Sequence, residues 1–352
     1  MSTGIRGAVA GNVTAVLSQV DLTAFSKEVL WNAEPLTYMK QFAVPRTELN
    51  AQPGAKIQFL KYNQMRFGVP LTEQVDLTAT DISAATSEIT VKEWGNAVGV
   101  TETLLHQSPY DVLGAVSKML ADDYARLIDL AFIHSMLYSP LNVWAPAGTQ
   151  LFSGAATSVA TLTAGDTFSA ADLRNVQESK RTRKVPKIMT RSPLGNTVDA
   201  SYVGVVHPHV ERSIMEDADW KNASLYAGST QIFNGESGKY HDIRVASTTM
   251  MVKIKAATGN IEIDGINMSV AGGVVPAQIA AMFTPHPTPH ATEDIYVSFF
   301  LGDYTSAWVE TMGVQLRDNG VQNFGRRHEL AWLSYFGAGL INPSRLTVYY
   351  SA

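Results

Sequence analysis

The chain has 352 residues, a formal net charge of -5, 45% hydrophobic and 17% charged residues, and no cysteine. It is long enough to bury a sizeable core as one elaborated domain or two, while the missing cysteines exclude disulfides, thiolate metal sites and thiol nucleophiles. The acidic balance argues against a protein that coats nucleic acid nonspecifically, and the small share of charge leans towards an oligomer whose surface is partly covered by neighbours.

Residues up to about Leu49 mix small, polar and scattered large apolar groups (Val16, Leu22, Phe25, Leu30, Trp31, Phe42) without a sustained period, and are expected to form an arm that orders against another surface. Gly7 to Val20 is weakly apolar but interrupted by Asn12, Ser18 and Gln19, so it reads as a mature arm and not a secretion signal. KIQFLKY (Lys56 to Tyr62) and EITVKEWGNAVGV (Glu88 to Val100) carry the β-branched and aromatic content of strands, with a polar stretch from Thr72 to Ser87 between them. They predict a long β-hairpin with a polar tip. Such a hairpin is marginal alone in water, so it should lie on its own core or on a neighbouring subunit.

Ser108, Pro109 and Asp111 form a helix start. Val112, Val116, Met119, Leu120, Leu127 and Leu130 then recur at helical spacing, with Lys118, Asp122 and Arg126 on the wet side. A helix running to about Tyr138 would be roughly 40 Å long. Pro140 to Asp166 reads as a long loop with short strands. A second helix opens at Ser169, capped with Asp172, and ends in Lys180, Arg181, Arg183 and Lys184. Those cations suit a helix C-terminus, and contact with nucleic acid or an acidic neighbour is the alternative. Strand-rich segments follow, including IEIDGINMSV, IYVSFFLG, AWVETMGVQLRDNG and RLTVYY, without the regular alternation of a doubly wound sheet. The class is therefore α+β. No apolar run reaches the roughly 18 to 20 residues of a membrane span, because Asp129, His134, Gly272 and Pro276 interrupt the candidates.

Chemistry has few footholds. His207 and His209, with Glu211 and the loop histidines His286 and His290, are the best metal candidates, but no HExxH helix accompanies them and structural histidines are the favoured reading. Gly235 to Gly238 lacks a phosphate-loop pattern and is expected to serve a turn between strands. The carboxylate pairs Asp122-Asp123 and Glu216-Asp217 read as solvated helix faces.

The blocks PGAKIQFLKYN, TSEITVKEWGNAVGVTE, PYDVLGAVSKMLADDYARLID, SAADLRNVQESKRTRKVP, YVGVVHPHVERSIMEDADW and NGESGKYHDIRV occur in that order. Together they resemble the major capsid proteins of tailed bacteriophages with the Hong Kong 97-type fold, most closely the N-four-like podovirus group. The resemblance implies an N-terminal arm (1–49), an extended β-hairpin loop (50–102), a spine helix with part of a peripheral domain (103–200), an axial domain (201–291) and return strands shared between peripheral and axial domains (292–352). It implies a protein that is not an enzyme and uses no cofactor or metal. Copies would assemble into hexamers and pentamers of an icosahedral virion head around double-stranded DNA, held without sequence specificity. Synthesis in the host cytoplasm, a scaffolding protein, a portal, room for a decoration protein and no membrane partner follow from the same resemblance. The candidate inter-subunit contacts are Lys56, Phe59, Tyr62, Arg66, Phe67, Glu88, Lys92, Trp94, Arg181 and Arg183. Two other classes stand beside this one: an encapsulin-like cellular compartment, and a metal-dependent hydrolase using His207 and His209.

Overall fold

The computed structural model of the chain describes residues 37–48, 55–62, 65–68, 79, 81–107, 112–138, 149–191, 198–221 and 236–352. Most of the expected arm, the Ser108–Asp111 helix start, most of the hairpin tip and the first part of the expected loop after Pro140 lie outside the described residues. Among those residues, no helix is long and apolar enough to cross a membrane.

In chain order the strands are β1 (Val44–Arg46), β2 (Lys56–Tyr62), β3 (Ala84–Thr90), β4 (Lys92–Thr101), β5 (Gln150–Phe152), β6 (Ile188–Arg191), β7 (Val198–Val206), β8 (Glu236–Tyr240), β9 (Ile243–Ser247), β10 (Val252–Ile254), β11 (Ile261–Ile263), β12 (Ile266–Asn267), β13 (Ile295–Leu301), β14 (Ser306–Gln322), β15 (Arg327–Leu340) and β16 (Thr347–Ser351). The helices are α1 (Glu102–Gln107), α2 (Val112–Tyr138), α3 (Ala170–Thr182), α4 (Pro208–Glu216) and α5 (Ala277–Met282).

Three sheets result. Strands β1, β14, β15 and β4 form one, in which β15 pairs antiparallel with β4 from Arg327–Thr101 to Phe336–Lys92 and β1 adds a parallel edge. A ten-stranded mixed sheet is built around β13, which meets β16 on one side and β10 and β7 on the other, with β7 running parallel to β9. The third is the two-stranded ribbon β2–β3.

The centre of the ten-stranded sheet is buried on both faces, which is why β13 reads as the run IYVSFFL, apolar but for the buried Ser298. Its Val297 and Phe299 join the core around α2, while Phe300 joins a second core with Phe168, Leu173, Val176, Val210 and Ile214 from α3, α4 and their approaches. Where β7 and β13 face each other, Gly204 leaves room for the Phe300 ring, since a Cβ there would come within 2.5 Å of Phe300 Cε1.

The long helix α2 runs through the first core with Val116, Leu120, Tyr124, Ile128, Phe132 and Met136 buried at successive i+4 steps. It packs along the four-stranded sheet, where Tyr124 meets Trp332 of β15 edge-on at 5.2 Å and Phe132 stacks with Trp308 of β14 at 5.7 Å, and its core takes in Val297 and Phe299 of the ten-stranded sheet. Met119, expected on the inner face, is 62% exposed because the buried stripe follows the i+4 row and leaves it at the solvent edge. The second helix begins as expected, with Ser169 and Asp172 completing a capping box. Gly238 departs from expectation: it lies inside β8 at a bulge, where a Cβ would come within 3.0 Å of the Trp220 ring, so the close approach of that indole explains the glycine.

Candidate assembly surfaces

The predicted hairpin exists, but its second arm is not the one expected. Lys56–Tyr62 pairs with Ala84–Thr90, from Lys56–Thr90 to Tyr62–Ala84. After Val91 the chain leaves this ribbon, and Lys92–Thr101 becomes the edge partner of β15. Residues 84–87, expected at the polar tip, are therefore strand, and 92–100 belong to the four-stranded sheet. The root of the ribbon is seated on this chain's own sheet. Ile89 is 2% exposed and packs with Ala307 and Val309, and Ser87 Oγ donates to Leu340 O at 2.7 Å. Gly337 and Gly339 permit that approach, since a Cβ on either would come within 2.6 Å of Thr90 O or Ile89 Cγ1. Lys61 Nζ donates to Asn342 Oδ1 at 3.3 Å, and the Arg46 guanidinium lies 5.6 Å from the Phe59 ring.

Beyond the root the ribbon carries apolar side chains that touch no core. Leu60 (56% exposed), Tyr62 (66%), Met65 (67%), Phe67 (85%) and Ile82 (68%) all project into solvent. The period of two explains the split: Ile57 and Phe59 face the sheet, so Leu60 and Tyr62 fall on or beyond the opposite face. Of the candidate contacts, Tyr62, Arg66 and Phe67 sit in this exposed region, and Lys56 and Glu88 form an exposed ion pair at 3.0 Å on the ribbon. Leu60, Met65 and Ile82 were missed, although apolar residues on both faces of KIQFL were the available signal. Lys92 is exposed on β4. Trp94 is used within the chain, stacking on Phe336 at 5.5 Å and donating its indole N–H to Phe336 O.

The basic end of α3 is drawn into the fold. Lys180 is fully buried, and its ammonium donates to the carbonyls of Phe300 (2.9 Å) and Arg345. Burial pushes its pKa well below the ordinary lysine value, with the nearby Arg183 charge adding to the shift. Arg183 donates to Ser344 O at 2.7 Å and Leu346 O at 3.0 Å, and also to Thr347 Oγ1. Arg181 and Lys187 meet at Asp242, at 2.5 and 2.9 Å, where Gln177 Nε2 also donates at 2.8 Å. Partial burial pulls the Asp242 pKa up, but the three donors and the Lys187 charge outweigh it and hold the carboxyl down at about 2.

The histidines also have structural employment. His207 is the N-cap of α4, with Pro208 in the first turn, and its Nδ1 accepts from His209 N at 3.1 Å. Both rings lie against Tyr296, at 4.9 and 4.5 Å. His286 Nδ1 accepts from Thr288 N, His290 Nδ1 accepts from Glu293 N, and Glu211 accepts from the Ser237 hydroxyl. Among the described residues, no group of three or more His, Asp or Glu side chains is arranged to hold a metal ion. Two carboxylates read as solvated are likewise engaged: Asp123 accepts from Trp332 Nε1 and Asn96 Nδ2, and Asp217 Oδ2 accepts from Ala170 N at the start of α3.

The pattern of a family described as phage capsid protein matches residues 84–349. Among solved structures, the chain is similar to the capsid of Ralstonia phage GP4 (16% identity, TM-score 0.58, 90% of each chain covered). It is similar also to the Cyanophage Pam1 capsid (12%, 0.61, 91% of this chain and 92% of that one) and to the head of Helicobacter pylori bacteriophage KHP40 (12%, 0.61, 87% of each). No curated protein matches the sequence significantly. A long helix, a projecting ribbon and two mixed sheets, the larger buried on both faces at its centre, are thus the Hong Kong 97-type capsid fold in its α+β form. The chain belongs to the phage capsid protein family, and its work is that of a major capsid protein: a structural subunit whose copies build the shell of the virion head.

Proposed function

We propose that copies of this chain form hexameric and pentameric capsomers closing an icosahedral head around double-stranded DNA, with the β2–β3 ribbon laid over a neighbouring subunit. The exposed row Leu60, Tyr62, Met65, Phe67 and Ile82 carries the proposal. Apolar surface gains roughly 25 cal/mol per Å² when removed from water, so a ribbon that ends in such side chains gains by being covered. A shell needs only modest gains at each interface because every interface repeats around it.

Within that reading the arm is 1–49, the extended loop runs through 50–102 with its free ribbon ending at Thr90, and α2 is the spine. The axial domain is centred on 201–291, and α3 adds to it because its core partners lie there. Tyr62, Arg66, Phe67, Lys56 and Glu88 are the inter-subunit contacts on the ribbon, and Lys92 lies at its foot. The subunit is made in the host cytoplasm, acts without catalysis, and assembles with a scaffolding protein and a portal. The acidic chain holds its DNA without sequence readout. The order of the sequence blocks supports the N-four-like group within the family.

Electron microscopy of the purified protein, with and without a scaffolding protein, tests the shell: closed polyhedra or capsomer rings are expected, and a monomer under every condition would refute it. Deleting residues 64–85 tests the ribbon. The subunit is expected to stay folded and fail to close shells, and intact shells would overturn the overlying position.

A further inference from the structure

Asp129 lies in the middle of α2, 2% exposed, and points its carboxylate at the first described turn of the chain. Its Oδ1 accepts from Met39 N at 2.9 Å and Tyr38 N at 3.1 Å, and its Oδ2 accepts from Tyr38 N at 3.0 Å. The turn it caps is the 3-10 segment Met39–Phe42, whose Met39 and Phe42 are buried in the core around α2. The chain then enters β1, three residues paired parallel with β14. The segment is thus held at three points: a carboxylate cap, two core side chains and a short edge ladder.

Among the described residues, no cation answers the carboxylate. On the capped turn, Lys40 sits 5.2 Å over the Trp308 ring, and Arg46 on β1 pairs with Glu48. On α2 itself Arg126 pairs with Asp264, Asp123 accepts from Trp332, and His134 stacks on Tyr138. On β14 Glu310 accepts from the Trp308 indole and Asp318 meets His328; on β15 Arg327 pairs with Glu329. Burying an unpaired carboxylate is costly, and amide donors offset that cost only in part.

We propose that Asp129 is a proton-coupled latch fixing the Tyr38–Arg46 segment to the spine helix, tight when the carboxyl is protonated and looser when it is ionised. Burial raises its pKa to about 6, against the two amide hydrogen bonds that lower it. An aspartate released to water titrates near 3.9, so the proton binds the latched state more strongly and acidification favours latching. The linkage between those two values makes opening roughly tenfold more favourable at pH 8 than at pH 5.

Hydrogen–deuterium exchange of the full chain tests this, read on a peptide covering Tyr38–Phe42 and corrected for the intrinsic pH dependence of exchange. A core peptide covering Val297–Leu301 serves as the control for global opening. Protection at Tyr38–Phe42 should rise about tenfold relative to the control from pH 8 to pH 5, and Asp129→Asn, which keeps an acceptor oxygen but cannot titrate, should remove the dependence. Protection in the unaltered chain that is flat or falls on acidification overturns the proposal, as does an equal rise in Asp129→Asn. The series on the unaltered chain decides the sign even if the variant folds poorly.

Discussion

Trp332, at the centre of β15, donates its indole N–H to Asp123 Oδ2 of the spine helix at 2.9 Å. The same oxygen accepts from Asn96 Nδ2 of β4 at 3.0 Å, so one carboxylate ties the helix to two adjacent strands. Asp123→Ala would leave a nearly buried indole N–H without its partner and should cost about 1 to 3 kcal/mol. Asp123→Asn, which keeps an acceptor oxygen, should cost less. Urea unfolding of the two variants checks the order.

The ribbon root depends on missing side chains in β15. A Cβ at Gly337 would lie 2.6 Å from the Thr90 carbonyl oxygen, whereas one at Gly339 would meet Ile89 Cγ1 at the same distance. Backbone has less freedom to move than an isoleucine side chain. Gly337→Ala is therefore expected to destabilise the subunit more than Gly339→Ala, and exchange protection of β3 should fall further in the former.

The Asp242 node gives a stability dependence at low pH. Its carboxyl is held at about 2 in the folded chain, below the ordinary value of 3.8. A lowered carboxyl pKa stabilises the fold above the unfolded value and loses that effect as pH falls through the folded one. The gap in unfolding midpoint between the unaltered chain and Asp242→Asn should be full above pH 4 and close towards pH 2. A gap independent of pH over that range would contradict the triple engagement by Lys187, Arg181 and Gln177.

Exposed apolar residues on the ribbon should separate folding from assembly. Tyr62→Ser combined with Phe67→Ser touches no core, so the melting temperature of the subunit should change little. Shell yield, followed by light scattering and electron microscopy, should drop sharply. Unchanged yield would remove these two side chains from the interface.

Much of the architecture was legible because it is written locally. The Ser169–Asp172 box, the helical spacing that announces α2 and the largely apolar strand β13 are each decided within a few residues of sequence, although the buried row of α2 was caught only at Val116 and Leu120. What escaped depends on partners far along the chain. EITVKEWGNAVGV has one uninterrupted strand pattern, yet Thr90 pairs with Lys56 while Lys92 pairs with Phe336, and nothing near Val91 announces the change. Asp129 read only as a charge interrupting an apolar run, because its donors lie ninety residues earlier. Lys180 read only as one of the cations suited to a helix C-terminus, because its carbonyl partners arrive with Phe300 and Arg345. The histidine cap was within reach: a structural role for His207 was the favoured reading, and a proline after it is the ordinary start of a helix.

Only Val91 stands between the ribbon strand β3 and β4, and its amide is itself fastened to Ala55 O at 2.9 Å. Beyond it β4 is bonded to β15 across ten consecutive residue pairs. The ribbon is therefore a lever whose fulcrum is inside the subunit: torque applied at Tyr62, the end of β2, passes through the paired strands β2 and β3 and the single residue Val91 to the sheet against which α2 rests. A subunit built this way registers the tilt of whatever its lever touches, which makes local curvature a quantity felt within each copy.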